Sequence, residues 1–241
     1  MNTNTKTSSP VVLVPGLWLG GWAWDAVAEH LSRRGVPAAA VTLPGLESPT
    51  ARRDGIGLVD HVSALVGAIH DAGSPVVLVA HSGAGVLATA VLDQAPETVR
   101  RVVYVDSGPV ADGTVARPDL GPETTEVPLP SWAQLEAAGA SLDGLDEHAL
   151  RRFRDRAVPH PAGPLREPVS LHDPARNQVP ATVVCCSFPS AAIREMVTAP
   201  GMFAPSADLT DLEYLDLPTG HWPMWSAPEA LADIIAATAR R

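Results

Sequence analysis

Lysine is almost missing from this chain. Of 241 residues only Lys6 is one, and it lies in a polar stretch, Met1 to Ser9. That stretch lacks the hydrophobic centre of a signal peptide. Nowhere do about 18 apolar residues follow one another without interruption, the length a membrane span needs. The pattern implies a soluble, cytoplasmic protein with a disordered tail over residues 1–9. Cysteine is nearly as scarce. The only two, Cys185 and Cys186, are neighbours inside an apolar run, where bridging them would strain the backbone, and no C-x-x-C or H-E-x-x-H spacing suggests a metal. Both read as reduced, buried strand residues. No cofactor or metal is expected. Positive charge is in deficit: the formal net charge of −10 repels phosphate backbones and anionic lipid, so nucleic acid and acidic membrane are poor partners. The expected partner is a small-molecule substrate, and the chain is expected to act as a monomer or homodimer.

What is present points to a globular enzyme core. Hydrophobic residues make up 46% and charged residues 18%, which argues against a disordered or fibrous chain. The length suits a single α/β domain. Short valine-rich runs recur at Val11–Val14, Ala38–Leu43, Val76–Ala80, Val102–Val105, Thr182–Cys186 and Leu212–Leu217. They are continuously apolar rather than alternating, as strands covered on both faces of a parallel sheet are. Between them lie helical patterns at Trp22–Arg33, Leu58–Asp71, Gly83–Gln94 and Pro228–Thr238. Strand–helix alternation of this kind predicts a mostly parallel, doubly wound sheet.

The rhythm breaks between about Ala111 and Val179, in a stretch rich in proline and charge. Two helices are predicted there, Ser131–Ala138 and Asp146–Ala157, with Ser131 and Asp146 as N-caps. Because strands resume at Thr182, the core spans 10–112 and 179–241, and 113–178 reads as a helical lid over the ligand crevice. Four arginines of the second helix, Arg151, Arg152, Arg154 and Arg156, read as a solvated face.

The chemistry sits in Val76-Val77-Leu78-Val79-Ala80-His81-Ser82-Gly83-Ala84-Gly85. A serine at the tip of a buried strand, with small residues on both sides, is what a nucleophile elbow requires, because the strand must turn sharply into a helix. The usual elbow is G-x-S-x-G; here Ala80 and Ala84 replace both glycines. The helix start behind Ser82 aims N–H groups at a developing oxyanion. Upstream, Val11-Val12-Leu13-Val14-Pro15-Gly16-Leu17-Trp18 is another strand ending in a glycine turn. Downstream, Gly220-His221-Trp222 places a histidine after the last strand. Serine first and histidine last is the order of one hydrolase class.

On these residues, with Gly21, Trp24, Pro223, Met224 and Pro228, the chain resembles the α/β-hydrolase superfamily. Within it the resemblance is to plant methyl esterases, hydroxynitrile lyases and their bacterial relatives. The resemblance implies Ser82 as nucleophile, His221 as base and the N–H groups of Leu17 and Gly83 as the oxyanion hole, with Trp18 a candidate to line the pocket. Pro15 replaces the usual histidine of the first loop. The family's acid normally follows the strand Thr182–Cys186, and Ser187-Phe188-Pro189-Ser190 supplies no carboxylate there. Asp106, at the end of the strand Val102–Val105, is the expected substitute. Asp216, Asp208 and Asp211 are its weaker competitors. His81 reads as structural, and Trp222 and Trp225 flank the base.

The implied function is a serine hydrolase, a carboxylic ester hydrolase in kind, cleaving an ester, lactone or thioester through an acyl-enzyme. A cyanohydrin lyase is disfavoured, since those relatives use a lysine over the pocket and this segment has none. The alternatives are a non-hydrolytic cyclase or lyase on a natural product, and a ligand-binding protein weakened in catalysis.

Overall fold

A computed structural model describes residues 8–241. Strand β1 (Val11–Val14) leads through a 3-10 turn, Gly21–Trp24, into helix α1 (Asp25–Arg33) and the short strand β2 (Ala38–Ala40). Then come α2 (Leu58–Ala72), β3 (Val76–His81), α3 (Ala84–Gln94) and β4 (Val99–Val105). An inserted segment follows, holding β5 (Glu126–Val127), α4 (Trp132–Ala137), α5 (Glu147–Arg156), β6 (His160–Pro161) and α6 (Gly163–Arg166). The chain returns with β7 (Ala181–Cys185), α7 (Ser190–Val197), β8 (Leu212–Asp216), α8 (Pro223–Ser226) and α9 (Pro228–Ala239).

Six strands form one sheet in the order β2-β1-β3-β4-β7-β8, and every neighbouring pair is parallel. Successive side chains feed opposite cores. Val11, Leu13, Val77 and Val79 pack with Val27 and Leu31 of α1 and Leu231 and Ile235 of α9. Val12, Val14, Leu78 and Ala80 pack with Leu65 and Ile69 of α2 and Leu87 and Val91 of α3. Both faces are therefore dry, which is why the strand sequences are continuously apolar. Each fully buried Val or Leu contributes about 1.5–3 kcal/mol over an exposed one. From β1 the chain winds to β2 on one side, and from β3 onward it winds to the other. Sheets of this kind bind ligands outside the carboxyl ends of the strands at that reversal. The loops after β1 and β3 open there.

Several boundaries depart from expectation for local reasons. β2 stops at Ala40 rather than Leu43: it is an edge strand with Ala39 and Ala40 exposed, and the Thr42 hydroxyl beyond it accepts the Gly21 N–H at 2.9 Å. β4 begins at Val99, which pairs with Val76, although Arg100 is exposed. The helix expected from Trp22 opens as a 3-10 turn, with the α-helix starting at Asp25. Helix α7 was not anticipated, because it buries only Ile193 and so shows no apolar stripe. In α4 and α5 the caps are Ser131 and Asp146, accepting from Gln134 N–H (3.3 Å) and Ala149 N–H (2.8 Å).

Residues 1–7 of the expected tail lie outside the described residues. Ser8 and Ser9 correct the rest of that expectation: Ser8 Oγ donates to Gly35 O at 3.2 Å and Ser9 N–H to Ala239 O at 2.9 Å. The arginine face is corrected in part: Arg151, Arg154 and Arg156 are exposed, as a solvated face is, but Arg152, Arg154 and Arg156 also have partners outside the helix. Arg152 donates to Trp22 O (3.1 Å) and Asp25 (2.9 Å), Arg156 lies over the Trp22 ring (4.5 Å) and Arg154 over the Trp132 ring (3.9 Å). Guanidinium planes stack on aromatic faces, so these arginines fasten α5 to its neighbours. Arg151, exposed and paired with Glu147 one turn away, stays within α5. Among the described residues no helix is long and apolar enough to cross a membrane.

Candidate active site

Ser82 follows β3 in a left-handed conformation, φ +52°. Its N–H donates to Val105 O at 3.1 Å, and its carbonyl accepts the Ser107 hydroxyl at 2.6 Å. The turn is tightly packed. A Cβ on Gly16 would come 2.9 Å from His81 Nδ1 and 3.0 Å from Ser82 Cβ, and one on Gly85 would run into Ser107 Oγ and Gly108 O. Ala80 and Ala84 are buried and small enough for the elbow. Trp18 (φ +66°), Ser82 and Asp106 (φ +44°) are the only non-glycine residues with positive φ among the described residues, and all three line one cavity. Such conformations cost about 1–3 kcal/mol each and persist where the surroundings over-determine them.

His221 joins Ser82 and Asp106 in that cavity. Its Nε2 lies 2.7 Å from Ser82 Oγ and its Nδ1 2.6 Å from Asp106 Oδ2. Asp106 also accepts the Ser187 hydroxyl (2.6 Å), the Ser187 N–H (2.8 Å) and the Cys186 N–H (3.3 Å). Burial alone would raise its pKa, but the His221 hydrogen bond and charge, together with the Ser187 donors, hold it well below the usual carboxylate range. An ionised Asp106 fixes the proton on His221 Nδ1 and leaves Nε2 to accept from Ser82.

The His221 backbone is held from both sides. His81 Nε2 donates to its carbonyl at 2.7 Å, and its N–H donates to Ser141 O at 2.8 Å. His81 is fully buried, and burial reinforced by the His221 charge keeps it neutral far below the ordinary histidine value. Trp222 packs edge-on against His221 at 4.9 Å, and Trp225 stacks on Trp22 at 5.7 Å. Two of the three competing carboxylates are engaged elsewhere. Asp216 accepts from Ser190 N–H (2.6 Å) and Oγ (2.7 Å), and Asp211 pairs with Arg101 (3.1 Å). Burial pushes both cysteine thiols up to about 12, so neither is a thiolate near neutral pH.

The cavity above Ser82 measures about 400 Å³. Leu17, Trp18, Gly83 and Val86 line it from the core, and Leu135, Ala138 and Ala140 from the inserted segment. Among the described residues Asp106 is its only carboxylate, and no lysine or arginine lines it. The N–H groups of Leu17 and Gly83 have no acceptor among the described residues, and a Cβ on Gly83 would sit 2.9 Å from Leu17 Cδ2, so the two loops touch. Trp18 also lines the cavity; its indole N–H donates to Val127 O at 3.0 Å and its backbone N–H to His160 Nδ1. Sequence reasoning missed Phe188, Met202 and Phe203, which close the cavity from the β7–β8 connection. They sit in loops with no periodicity to mark them.

Comparison with known proteins gives the family. The profile of the alpha/beta hydrolase family matches residues 11–234. The chain belongs to that family. A probable hydrolase, R7, from a Phoma species is 27% identical over 94% of this chain and 96% of its own length. A carbendazim hydrolyzing esterase from a Nocardioides species is 25% identical over 94% of this chain and 98% of its own. Among solved structures, an extracellular alpha/beta-hydrolase from a Paenibacillus species superposes with a TM-score of 0.75 at 18% identity, covering 96% of this chain and 98% of that one. At that identity the likeness is one of fold.

Proposed function

We propose that the protein hydrolyses esters of neutral, mostly apolar carboxylic compounds through an acyl-enzyme on Ser82. The observation that supports this most is the unbroken relay Ser82 Oγ–His221–Asp106, at 2.7 and 2.6 Å, opening into a largely apolar cavity. His221 Nε2 takes the Ser82 proton as Oγ attacks the carbonyl carbon. The oxyanion forms against the N–H groups of Leu17 and Gly83, the latter just before the positive end of α3. Asp106 steadies the imidazolium. His221 then returns the proton to the departing alkoxide, and a water activated by the same nitrogen releases the acid.

The substrate class follows from the walls. With Asp106 negative and no lysine or arginine lining the cavity among the described residues, a free carboxylate on the substrate would be repelled. The wall residues of the inserted segment support its reading as a lid that shapes substrate choice. A carboxylate 2.6 Å from His221 supports catalysis over the alternative of a ligand-binding protein weakened in it. Turnover of 4-nitrophenyl butyrate by the wild type, lost in Ser82→Ala, is the expected result; an active Ser82→Ala protein would sink the assignment.

A further inference from the structure

Three hydrogen bonds from the inserted segment converge on one residue of the loop after β1. Trp18 donates its N–H to His160 Nδ1 (3.3 Å), accepts the Val158 N–H on its carbonyl (3.0 Å) and donates its indole N–H to Val127 O (3.0 Å). Every polar group of Trp18 is thus taken by 127–160. The residue needs such restraint, since its backbone is left-handed, a conformation that a bulky side chain rarely adopts. One residue upstream of Leu17, Gly16 is wedged against His81 and Ser82. Leu17, with its unengaged N–H, is held between these two fixed points.

We propose that His160 is a positioning residue: by accepting the Trp18 N–H it sets the orientation of the Leu17–Trp18 peptide and so keeps the Leu17 N–H aimed as an oxyanion donor. The proposal rests on the hydrolytic reading above. A backbone N–H only donates, so Nδ1 must be bare and the ring proton must sit on Nε2. The surroundings enforce the neutral ring. His160 is buried, the His61 ring meets it edge-on at 5.6 Å, and the buried Arg53 donates to the neighbouring Pro159 O at 2.7 Å. Burial first, then His61 and Arg53, push its pKa down to about 3, so the acceptor survives across the working range of an esterase. The same inserted segment also grips the base loop, where Asp143 O and Ser141 O accept from Gly220 (3.2 Å) and His221 (2.8 Å). It braces both halves of the machinery.

The test compares His160→Leu, which removes the acceptor at similar size, with His160→Asn, whose Oδ1 can stand where Nδ1 stood. For 4-nitrophenyl butyrate, H160L should lose kcat by about tenfold or more with KM within about threefold, because one oxyanion donor is worth about 10²–10³ in kcat. H160N should recover kcat to within about threefold of wild type. The Trp18 amide should exchange with solvent about tenfold faster in H160L than in wild type. Unchanged kcat in H160L, a change in KM alone, or equal kcat losses in both variants would overturn the proposal. Should H160L fail to fold, ¹⁵N shifts of His160 in the wild type decide: a bare Nδ1 with protonated Nε2 supports it, and the opposite tautomer overturns it. A wild type that turns over no ester is a different outcome, which removes the hydrolytic reading and this role with it.

Discussion

Ser187 holds Asp106 with two donors at once, its hydroxyl on Oδ2 at 2.6 Å and its N–H on Oδ1 at 2.8 Å. The pair links the end of β7 to the end of β4, and it orients the carboxylate that faces His221. Removing the hydroxyl takes away a hydrogen bond to the charged form, so the Asp106 pKa should rise. Ser187→Ala is expected to lower kcat by less than about tenfold, and the Asp106 carboxyl ¹³C signal should titrate at a higher pH than in the wild type. Asp106→Asn, which loses the charge itself, should cut kcat by at least about a hundredfold with the fold intact. Near-normal turnover by D106N would show that His221 works without this partner.

Three buried histidines should make the protein acid-sensitive. His61, His81 and His160 all have pKa values pushed below the ordinary histidine value, chiefly by burial. Unfolded, each takes up a proton near pH 6.5; folded, each resists it. The unfolded state therefore binds more protons below that point, and stability present above about pH 6.5 is lost as pH falls. Each histidine adds a slope of up to about 1.4 kcal/mol per pH unit. Urea unfolding at pH 7.5 and 5.0 should show a lower midpoint in acid, and H160N should flatten the difference. Equal midpoints would contradict the burial of neutral rings.

Cavity size should be adjustable from the inserted segment. Ala138 and Ala140 line the wall with Leu135, facing the space above Ser82. Ala138→Phe should lower kcat/KM for 4-nitrophenyl octanoate by about tenfold or more while leaving the acetate within about threefold. Parallel losses on both esters would mean that this wall does not select the acyl group.

Much of this was legible because buried strands leave an unambiguous trace. Val76–Ala80 is apolar at every position since both faces of β3 are dry, and a serine followed by Gly83, Ala84 and Gly85 marks where that strand must turn. Asp106 is readable from its place alone: parallel strands end on a common edge, so the residue closing Val102–Val105 emerges beside the serine. His160 leaves no such trace. It sits in a two-residue strand, β6, and its contact with Trp18 spans 142 positions, so only tertiary packing reveals it. The arginines of α5 mislead for another reason. A guanidinium stacked on Trp22 or Trp132 has the same sequence pattern as one in water.

The most direct measurement is intact mass spectrometry of the folded protein after exposure to a fluorophosphonate probe, followed by peptide mapping. One adduct per chain, located on Ser82 and absent from both S82A and heat-unfolded protein, is the expected result. Folded wild type that gains no adduct, or gains one on another residue, would contradict Ser82 as an activated nucleophile.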